Sequence, residues 1–227
     1  MTVILDDRIV EAFEETVVAR GYPCVGAKGA IARRQVEAYF GRSLDSAWDD
    51  VELAQRLGRF ARHYARRRPM FTTMVAFFPE TPMLDEAGFE RALWDRIASL
   101  QAKDEWLGQP LDPAIDGDPE SPHFSLSFGG QGFFVVGMHP AASRPARRFD
   151  CPAMVFNLHD QFERLRADGR YEKMRDAILE RDEALAGSLN PMLARFGTSS
   201  EARQYSGRAV GPDWQCPWPG RGKEESE

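Results

Sequence analysis

The sequence has few cysteines, no long hydrophobic run and no excess of basic residues. Its three cysteines, Cys24, Cys151 and Cys216, are odd in number and far apart, which excludes a disulfide framework and the paired Cys-x-x-Cys spacing of a zinc site. No window approaches the roughly 18 apolar residues of a membrane span, and no basic stretch precedes an apolar one at the N-terminus. We therefore expect a cytoplasmic protein with reduced thiols and no membrane partner.

The charge balance and the missing motifs remove further classes of protein. Twenty-nine basic against 35 acidic residues give a net charge of -6, which disfavours a nucleic-acid partner. No Gly-x-Gly-x-x-Gly, Walker-type loop or Gly-x-Ser-x-Gly elbow is present, so nucleotide-binding and serine-hydrolase functions lose their usual sequence support. The length of 227 residues suits one globular domain. We assign this domain to residues 1–219 and expect a disordered tail at 220–227.

Hydrophobic periodicity alternates between helical and strand-like segments. Apolar spacings of three and four predict helices, whereas β-branched and aromatic runs bounded by proline or glycine predict strands. The predicted helices are 5–20, 30–41, 46–66, 85–107, 158–169 and 171–186. The predicted strands are 71–79, 123–128, 133–139 and 153–157. Together they predict an α+β fold, a single domain with a small, mostly antiparallel sheet flanked by helices.

Four histidines are candidate metal ligands, and two of them stand out. His63 and His123 lie in a basic helix and at a strand start, where a solvated side chain is the simpler interpretation. His139 and His159 each follow an apolar strand, so we expect them at the rim of a dry interior. A single neutral imidazole there can ligate a haem iron, because the porphyrin supplies the equatorial ligands. A hydrogen-bonded core histidine is the alternative interpretation.

A basic loop directly follows His139. Its Ser143, Arg144, Arg147 and Arg148 offer hydroxyl and guanidinium donors that suit two carboxylates, such as the propionates of haem. The alternative is a solvent-facing or nucleic-acid-binding patch, which the acidic chain around the loop makes less attractive. The loop is therefore the predicted cofactor-binding segment.

The two histidines cannot both ligate one iron if their strands run antiparallel. The ends of such strands lie at opposite edges of the sheet, roughly 20 Å apart at about 3.3 Å per residue. His139, tethered to the arginine loop, is the predicted axial ligand. His159, near a helix start whose dipole disfavours protonation, is the alternative. Cys151-Pro152 and Cys216-Pro217 are a third candidate, since a thiolate can also ligate haem iron.

Several blocks of the sequence carry a family resemblance. They are YPCVGAK (22–28), GMHPAASRPARRF (137–149), FNLHDQFERLRADGRYEKM (156–174), RDEALAGSLNPML (181–193), SEARQYSGR (200–208) and WQCPW (214–218). In these blocks the chain resembles the YqcI/YcgG family, and within it the branch of pre-guanitoxin N-hydroxylases. The resemblance covers most of the chain and is strongest over 122–218.

The resemblance implies a small haem-dependent enzyme that hydroxylates a nitrogen of a guanidino group or an amine. The implied cofactor is haem b, with dioxygen as co-substrate. Carried over to this sequence, it makes His139 the axial ligand or a haem-pocket residue and gives the propionates to Arg144, Arg147 and Arg148. Asn157 and His159 become the catalytic or pocket-supporting residues. The implied substrate-binding residues are Arg203, Tyr205 and Arg208.

We therefore expect a haem-dependent N-oxygenase that acts on a small, amino-acid-like nitrogenous substrate. Because no flavin or nicotinamide signature is present, an external electron donor or reductase must supply the electrons. The alternative is a haem-binding sensor or carrier without turnover, and a third hypothesis is a structural protein without a cofactor. The sequence leaves open the exact substrate and whether the chain forms a homodimer.

Overall fold

A five-stranded mixed sheet forms the centre of the molecule. The computed structural model describes residues 2–193 and 197–221. The strands are β1 Val36–Phe40, β2 Thr73–Phe77, β3 Leu126–Phe128, β4 Gln131–Met138 and β5 Ala153–Leu158. The α-helices of the described residues are α1 Thr2–Val18, α2 Val25–Ala32, α3 Asp50–Arg67, α4 Glu86–Trp106, α5 His159–Ala167, α6 Tyr171–Ala186 and α7 Ala202–Tyr205. Short 3-10 helices lie at Ala47–Asp49 and Pro145–Arg147.

The strand order is β1-β2-β5-β4-β3. β1 and β2 run parallel, joined by α3 as the crossover that a parallel pair requires. The other neighbouring pairs run antiparallel, and β3 and β4 form a hairpin that turns at Gly129 and Gly130, with φ of 57° and 74°. The predicted class is confirmed: one α+β domain with a mostly antiparallel sheet flanked by helices.

The two faces of the sheet are covered by different helices. Successive strand side chains point to opposite faces, so Met74 and Ala76 of β2 join the larger core formed with α3 and α4. Val75 and Phe77 face the other way and pack in a smaller core with Phe13 of α1. β2 is therefore buried on both faces, which explains its continuous apolar run.

A buried ion pair fastens α3 to α4. The carboxylate of Asp50 and the guanidinium of Arg96 are in contact, with side-chain exposures of 0% and 2%. Arg96 also donates to the Leu44 carbonyl at 2.8 Å, and the Ser99 hydroxyl donates to Asp50. Because both charges have several partners, the interior tolerates them.

The helix predicted over 30–41 is wrong. α2 already ends at Ala32, and 36–40 is strand β1, paired in parallel from Val36 opposite Thr73 to Phe40 opposite Phe77. Arg34 has a left-handed backbone with φ of 53°, which interrupts the helix. Pairing with β2 outweighs the local helical spacing, because strand formation depends on the neighbour that a segment can pack against.

Fewer residues of α3 face the core than the spacing of its apolar residues suggests. Leu57, Phe60 and Tyr64 are buried, whereas Trp48 and Val51, which share the apolar spacing, are 74% and 60% exposed. They lie in the 3-10 turn and the first turn of α3, outside the stripe that faces the core.

The C-terminal boundary of the domain also differs from the prediction. Gly220 and Arg221 were assigned to the tail, but Arg221 pairs with Asp104 at 3.3 Å and with Glu105 at 3.2 Å, at the C-terminal end of α4. The packed body therefore extends to Arg221. The rest of the predicted tail, 222–227, lies outside the described residues. Within 2–193 and 197–221, no helix combines the length and the apolar character needed to cross a bilayer.

Candidate functional site

A cavity of about 240 Å³ lies on the α1 side of the sheet. Its floor is formed by alternate side chains of two strands, Val136 and Met138 from β4 and Val155 and Asn157 from β5. α1 and α2 form one wall, and α5 and α6 form another. Most of the lining is apolar, as is usual for small-molecule and cofactor sites.

Charged side chains interrupt this apolar lining. They are Arg147, Arg166, Arg175, Asp182 and Glu201. Arg147 donates to the carbonyls of Gly137 at 3.1 Å and Gln204 at 2.9 Å, and burial lowers its pKa. Asp182 is ion-paired with Arg144. Half-buried guanidinium groups beside apolar walls suit a ligand that has an apolar body and carboxylate groups.

Cys24 contributes a thiol to the cavity wall at the start of α2. It is the N-cap residue of that helix, and its Sγ accepts a hydrogen bond from the Ala27 amide at 3.3 Å. Burial raises the pKa of the thiol, while the amides of Ala27 and Gly26 and the charge of Arg147 lower it. The pKa of Cys24 is raised overall, so the side chain is a neutral thiol at neutral pH and would lose its proton on binding iron. Cys24 is thus the residue of the cavity wall whose side chain is of a type that ligates haem iron.

Glu201 contributes a carboxyl group to the same cavity. It directly precedes α7 and accepts a hydrogen bond from the Ser125 hydroxyl at 2.9 Å. Burial raises its pKa to about 7, although Ser125 and Arg166 act to lower it. A carboxyl group with this pKa can donate or accept a proton near neutral pH.

His139, the predicted axial ligand, lies beside the arginine loop but does not line the 240 Å³ cavity. Its ring stacks on Phe89 with centroids 4.2 Å apart, and its amide donates to the Arg147 carbonyl. Nδ1 is buried without a hydrogen-bond partner among the described residues, and burial lowers the pKa of the ring. The ring borders a separate cavity of about 70 Å³ that Cys151 also lines.

His159 follows β5, at the opposite end of the β4–β5 strand pair from His139. β4 and β5 pair antiparallel, with Phe133 opposite Leu158 and Met138 opposite Ala153, so the two histidines follow opposite ends of the strand pair. The Nδ1 atom of His159 is 3.1 Å from the Ser125 hydroxyl. Its Nε2 is 3.2 Å from Glu163. Both ring nitrogens therefore face protein partners, whereas Asn157, two residues earlier, does line the cavity.

The residues of the arginine loop have different surroundings: Arg147 lines the cavity, and the others bind backbone and side-chain groups of the protein itself. Arg148 donates to the Ala142 carbonyl at 2.7 Å, and Arg144 donates to Asp182 and to the Ser188 carbonyl. Ser143 is exposed, and its hydroxyl donates to Glu86 of α4 at 2.8 Å. The loop thus reaches the cavity through Arg147, whereas the donor groups of Ser143, Arg144 and Arg148 bind other residues of the protein.

The three predicted substrate-binding residues hold the C-terminal part of the chain in place. The Tyr205 ring is fully buried, and its hydroxyl donates to the Phe133 carbonyl at 3.3 Å. Arg203 lies over the Trp214 ring at 5.5 Å, and Arg208 pairs with the buried Glu90. None of the three lines the cavity.

The donor set of the cavity fits haem better than its volume does. A thiol, apolar walls and the guanidinium groups of Arg147 and Arg175 match an iron, a flat apolar ring and two carboxylates. The volume of about 240 Å³ is below the roughly 300–1,000 Å³ of typical ligand pockets. Haem binding therefore requires the wall to move outward. The described residues contain no cluster of three or more His, Cys, Asp or Glu that could hold a bare metal ion.

Fold and site together define a class: an α+β protein with a mostly apolar cavity whose lining carries a cysteine, arginines and carboxyl groups. The sequence pattern of the YqcI/YcgG family matches residues 13–219. The chain therefore belongs to the YqcI/YcgG family. No curated protein and no solved structure matches it.

Sequence reasoning missed Cys24, Arg175 and Glu201 as cavity residues. A signal was present for two of them, because YPCVGAK contains Cys24 and SEARQYSGR contains Glu201. Both blocks belong to the family resemblance. Spacing alone singles out neither residue, since a thiol before a short helix and a glutamate in a loop belong to no recognised motif.

Proposed function

We propose that this protein is a haem-dependent N-oxygenase that uses dioxygen to hydroxylate a guanidino or amino nitrogen of a small, amino-acid-like substrate. The observation that carries the proposal is the cavity itself, in which a thiol, guanidinium groups and two carboxyl groups border apolar walls. Membership of the YqcI/YcgG family supports it through the resemblance to the N-hydroxylase branch.

Cys24 is the residue to which we assign the iron, because its side chain lines the cavity. Arg147 and Arg175 are placed to receive carboxylates. His139 remains the ligand predicted from the sequence, and the variants below decide between it and Cys24. His159 receives no iron in this assignment, since both of its ring nitrogens face protein partners. A cytoplasmic location, which keeps the thiol reduced, is part of the proposal.

When bound, haem supplies the activation of dioxygen, with two electrons from an external donor. The residues of the chain bind and orient the substrate. Glu201 and Asp182 provide carboxyl oxygens for a guanidinium or ammonium group, and Asn157 adds an amide in the cavity floor. The apolar walls exclude water from the reacting nitrogen.

The test begins with protein produced with ample iron and haem precursor. We expect a Soret band and haem that acid-acetone extracts, because the chain has no Cys-x-x-Cys-His for thioether attachment. Reduced protein, oxygen and a panel of arginine-like compounds and simple amines should then give a product heavier by one oxygen on nitrogen. Products hydroxylated only on carbon, or oxygen uptake that no nitrogenous compound changes, would contradict the N-oxygenase.

The same experiment separates the alternative function. A Soret band without substrate-dependent oxygen uptake favours a haem-binding sensor or carrier. Absence of any Soret band, in protein whose circular dichroism is that of a folded chain, contradicts every haem function.

A further inference from the structure

A row of four hydrogen-bonding side chains leads away from the cavity. Glu201 lines the cavity and is bonded to the Ser125 hydroxyl at 2.9 Å. The same hydroxyl is 3.1 Å from Nδ1 of His159. Nε2 of His159 is 3.2 Å from Glu163. Each neighbouring pair is within hydrogen-bond distance, so the row is continuous.

The two ends of this row lie in different surroundings. Ser125 and His159 are 1% and 2% exposed, and Glu201 is 9% exposed. The side chain of Glu163, in contrast, is 43% exposed. One end is therefore a cavity carboxyl group and the other is a carboxylate in contact with water, with two buried groups between them.

Two hydrogen-bond directions are open to this row, and only the first places a hydrogen between Nε2 of His159 and the Glu163 carboxylate. When Glu201 is protonated, it donates to Ser125, Ser125 donates to Nδ1 of His159, and the Nε2–H group donates to Glu163. When Glu201 is ionised, Ser125 donates to Glu201 and accepts from an Nδ1–H group. His159 is neutral in both arrangements, but its hydrogen lies on a different nitrogen.

The arrangements differ by one proton, and the balance is simple. The Glu201 proton moves to Ser125, the Ser125 proton moves to Nδ1, and the Nε2 proton moves to Glu163 and on to water. No bond other than those to hydrogen changes, and no oxidant or reductant is needed. The reverse sequence brings a proton from water to the cavity.

Several charged and titratable groups surround the row. Arg166 pairs with Glu163 and also acts on Glu201 and His159. Burial lowers the pKa of His159, and the carboxylates of Glu163 and Asp112 raise it again. Tyr205 also lies near Glu201, and its own pKa is raised far above the usual value by burial. Tyr205 therefore stays neutral.

We propose that Glu201, Ser125, His159 and Glu163 form a proton relay that carries protons between the cavity and solvent. Glu201 is the member that lines the cavity, while Ser125 and His159 act through it. Hydroxylation of a guanidinium or ammonium nitrogen requires that nitrogen to lose a proton, so the relay deepens the proposed function and its use in catalysis rests on it. The proton path itself is a property of the protein without any ligand.

The test is an NMR titration of the protein alone, followed through the ring nitrogens of His159. In the wild type we expect the hydrogen of His159 to move from Nε2 to Nδ1 as the pH rises through about 7, where Glu201 ionises. In Ser125→Ala, Glu201 should still titrate while the His159 tautomer stays fixed. Glu201→Gln should remove the change near pH 7 altogether. His63 and His123, which are exposed, serve as reference rings in the same spectra.

Ser206→Ala is the matched control. Its hydroxyl is equally buried and also donates to a buried carboxylate, Glu90, at 3.0 Å, but it has no place in the row. We expect the His159 titration to be unchanged in this variant. A purely structural hydrogen-bond network predicts one fixed His159 tautomer across pH 5–9 in the wild type as well, and this result would overturn the relay.

Glu163→Gln provides a second test, should Ser125→Ala fail to fold. The substitution lies at the exposed end, and we expect it to shift the midpoint of the Glu201 carboxyl titration by about half a pH unit or more, since coupled sites titrate together. An unchanged midpoint would overturn the relay. Because neither measurement involves haem or substrate, failure of the N-oxygenase proposal and failure of the relay give separate results.

Discussion

Cys24 is the residue on which the haem assignment can be decided. Its thiol lines the cavity, whereas the rings of His139 and His159 do not. We expect Cys24→Ser to lower haem occupancy by about tenfold or more, because a hydroxyl is a poor substitute for a thiolate ligand of iron. The Soret band per mole of protein measures occupancy, and the spectrum of the ferrous carbon monoxide form reports whether sulfur ligates the iron.

The control for this variant is Cys216→Ser. Cys216 is also partly buried, but it lies outside the cavity, so we expect its spectrum to match that of the wild type. His139→Ala tests the ligand predicted from the sequence. Loss of haem from His139→Ala together with full retention by Cys24→Ser would return the axial role to His139.

Glu201 makes stability depend on pH in a direction that can be tested. Its folded pKa of about 7 lies above the ordinary glutamate value of 4.5, so the folded state holds the proton more tightly than the unfolded state. The stabilisation is therefore complete below about pH 4.5 and is lost as the pH rises through about 7. We expect the wild type to lose up to about 3 kcal/mol of unfolding free energy relative to Glu201→Gln over this range. Urea unfolding of both proteins at several pH values measures the difference, and parallel pH profiles would contradict it.

The buried pair of Asp50 and Arg96 predicts a large effect on stability that leaves the cavity intact. Removing one partner strands the other charge in the interior, so Asp50→Ala should cost about 3–5 kcal/mol. The exposed i,i+4 pair of Glu52 and Arg56 is the control, and Glu52→Ala should cost at most about 0.5 kcal/mol. Chemical unfolding measures both values. Equal costs for the two variants would show that the buried pair has no special role.

At the scale of secondary structure elements, α4 packs directly on β4 at Gly137. A Cβ atom at this position would lie 2.7 Å from Phe89 and 2.8 Å from Leu93, both fully buried side chains. We expect Gly137→Ala to destabilise the protein by about 1–3 kcal/mol, because overpacking forces neighbours out of their rotamers. Phe89 also stacks on His139, so the His139 ring signals should shift in NMR spectra.

Gly211→Ala is the control for this prediction. Its Cβ would meet no atom within 4 Å, so its unfolding free energy should stay within about 0.5 kcal/mol of the wild type. Equal stability of the two variants would show that α4 and β4 can separate at no cost.

The sequence correctly predicts the helices and strands whose type and bounds follow from their own hydrophobic pattern. β2 has a continuous apolar run, and α6 was predicted with its observed bounds, Tyr171–Ala186. β1 was missed because Val36–Phe40 is a strand only through its pairing with β2. A local spacing cannot reveal a partner more than thirty residues away in the chain.

The candidate site was predicted only in part, for a reason that concerns the whole molecule. Arg147 and Asn157 line the cavity as expected. Arg203, Tyr205 and Arg208 carry donors that suit a ligand, but the fold uses them to hold α7 and the C-terminal segment. Whether an arginine binds a ligand or a carbonyl depends on the packing of distant segments, which residue type alone does not reveal.

The molecule as a whole has one tightly packed side and one loosely packed side. α4 buries ten residues between the sheet and its neighbours, whereas in α6 only Asp182 is fully buried. Helices with few buried contacts open at a low free-energy cost. We therefore expect amide hydrogens of α6 to exchange with deuterium much faster than those of α4 and β2, as hydrogen-exchange mass spectrometry of the protein alone can measure.

Haem should change this exchange pattern on the loose side alone. The wall that must move outward to admit haem includes α6, and closing on the bound ring would add apolar contacts to Met174 and Ile178. We expect exchange across 171–186 to slow by about tenfold or more when haem is added. The control is α3, on the opposite face of the sheet, where no change is expected. Equal protection of α3 and α6, or protection of the segment around His139 without α6, would place the haem outside this cavity.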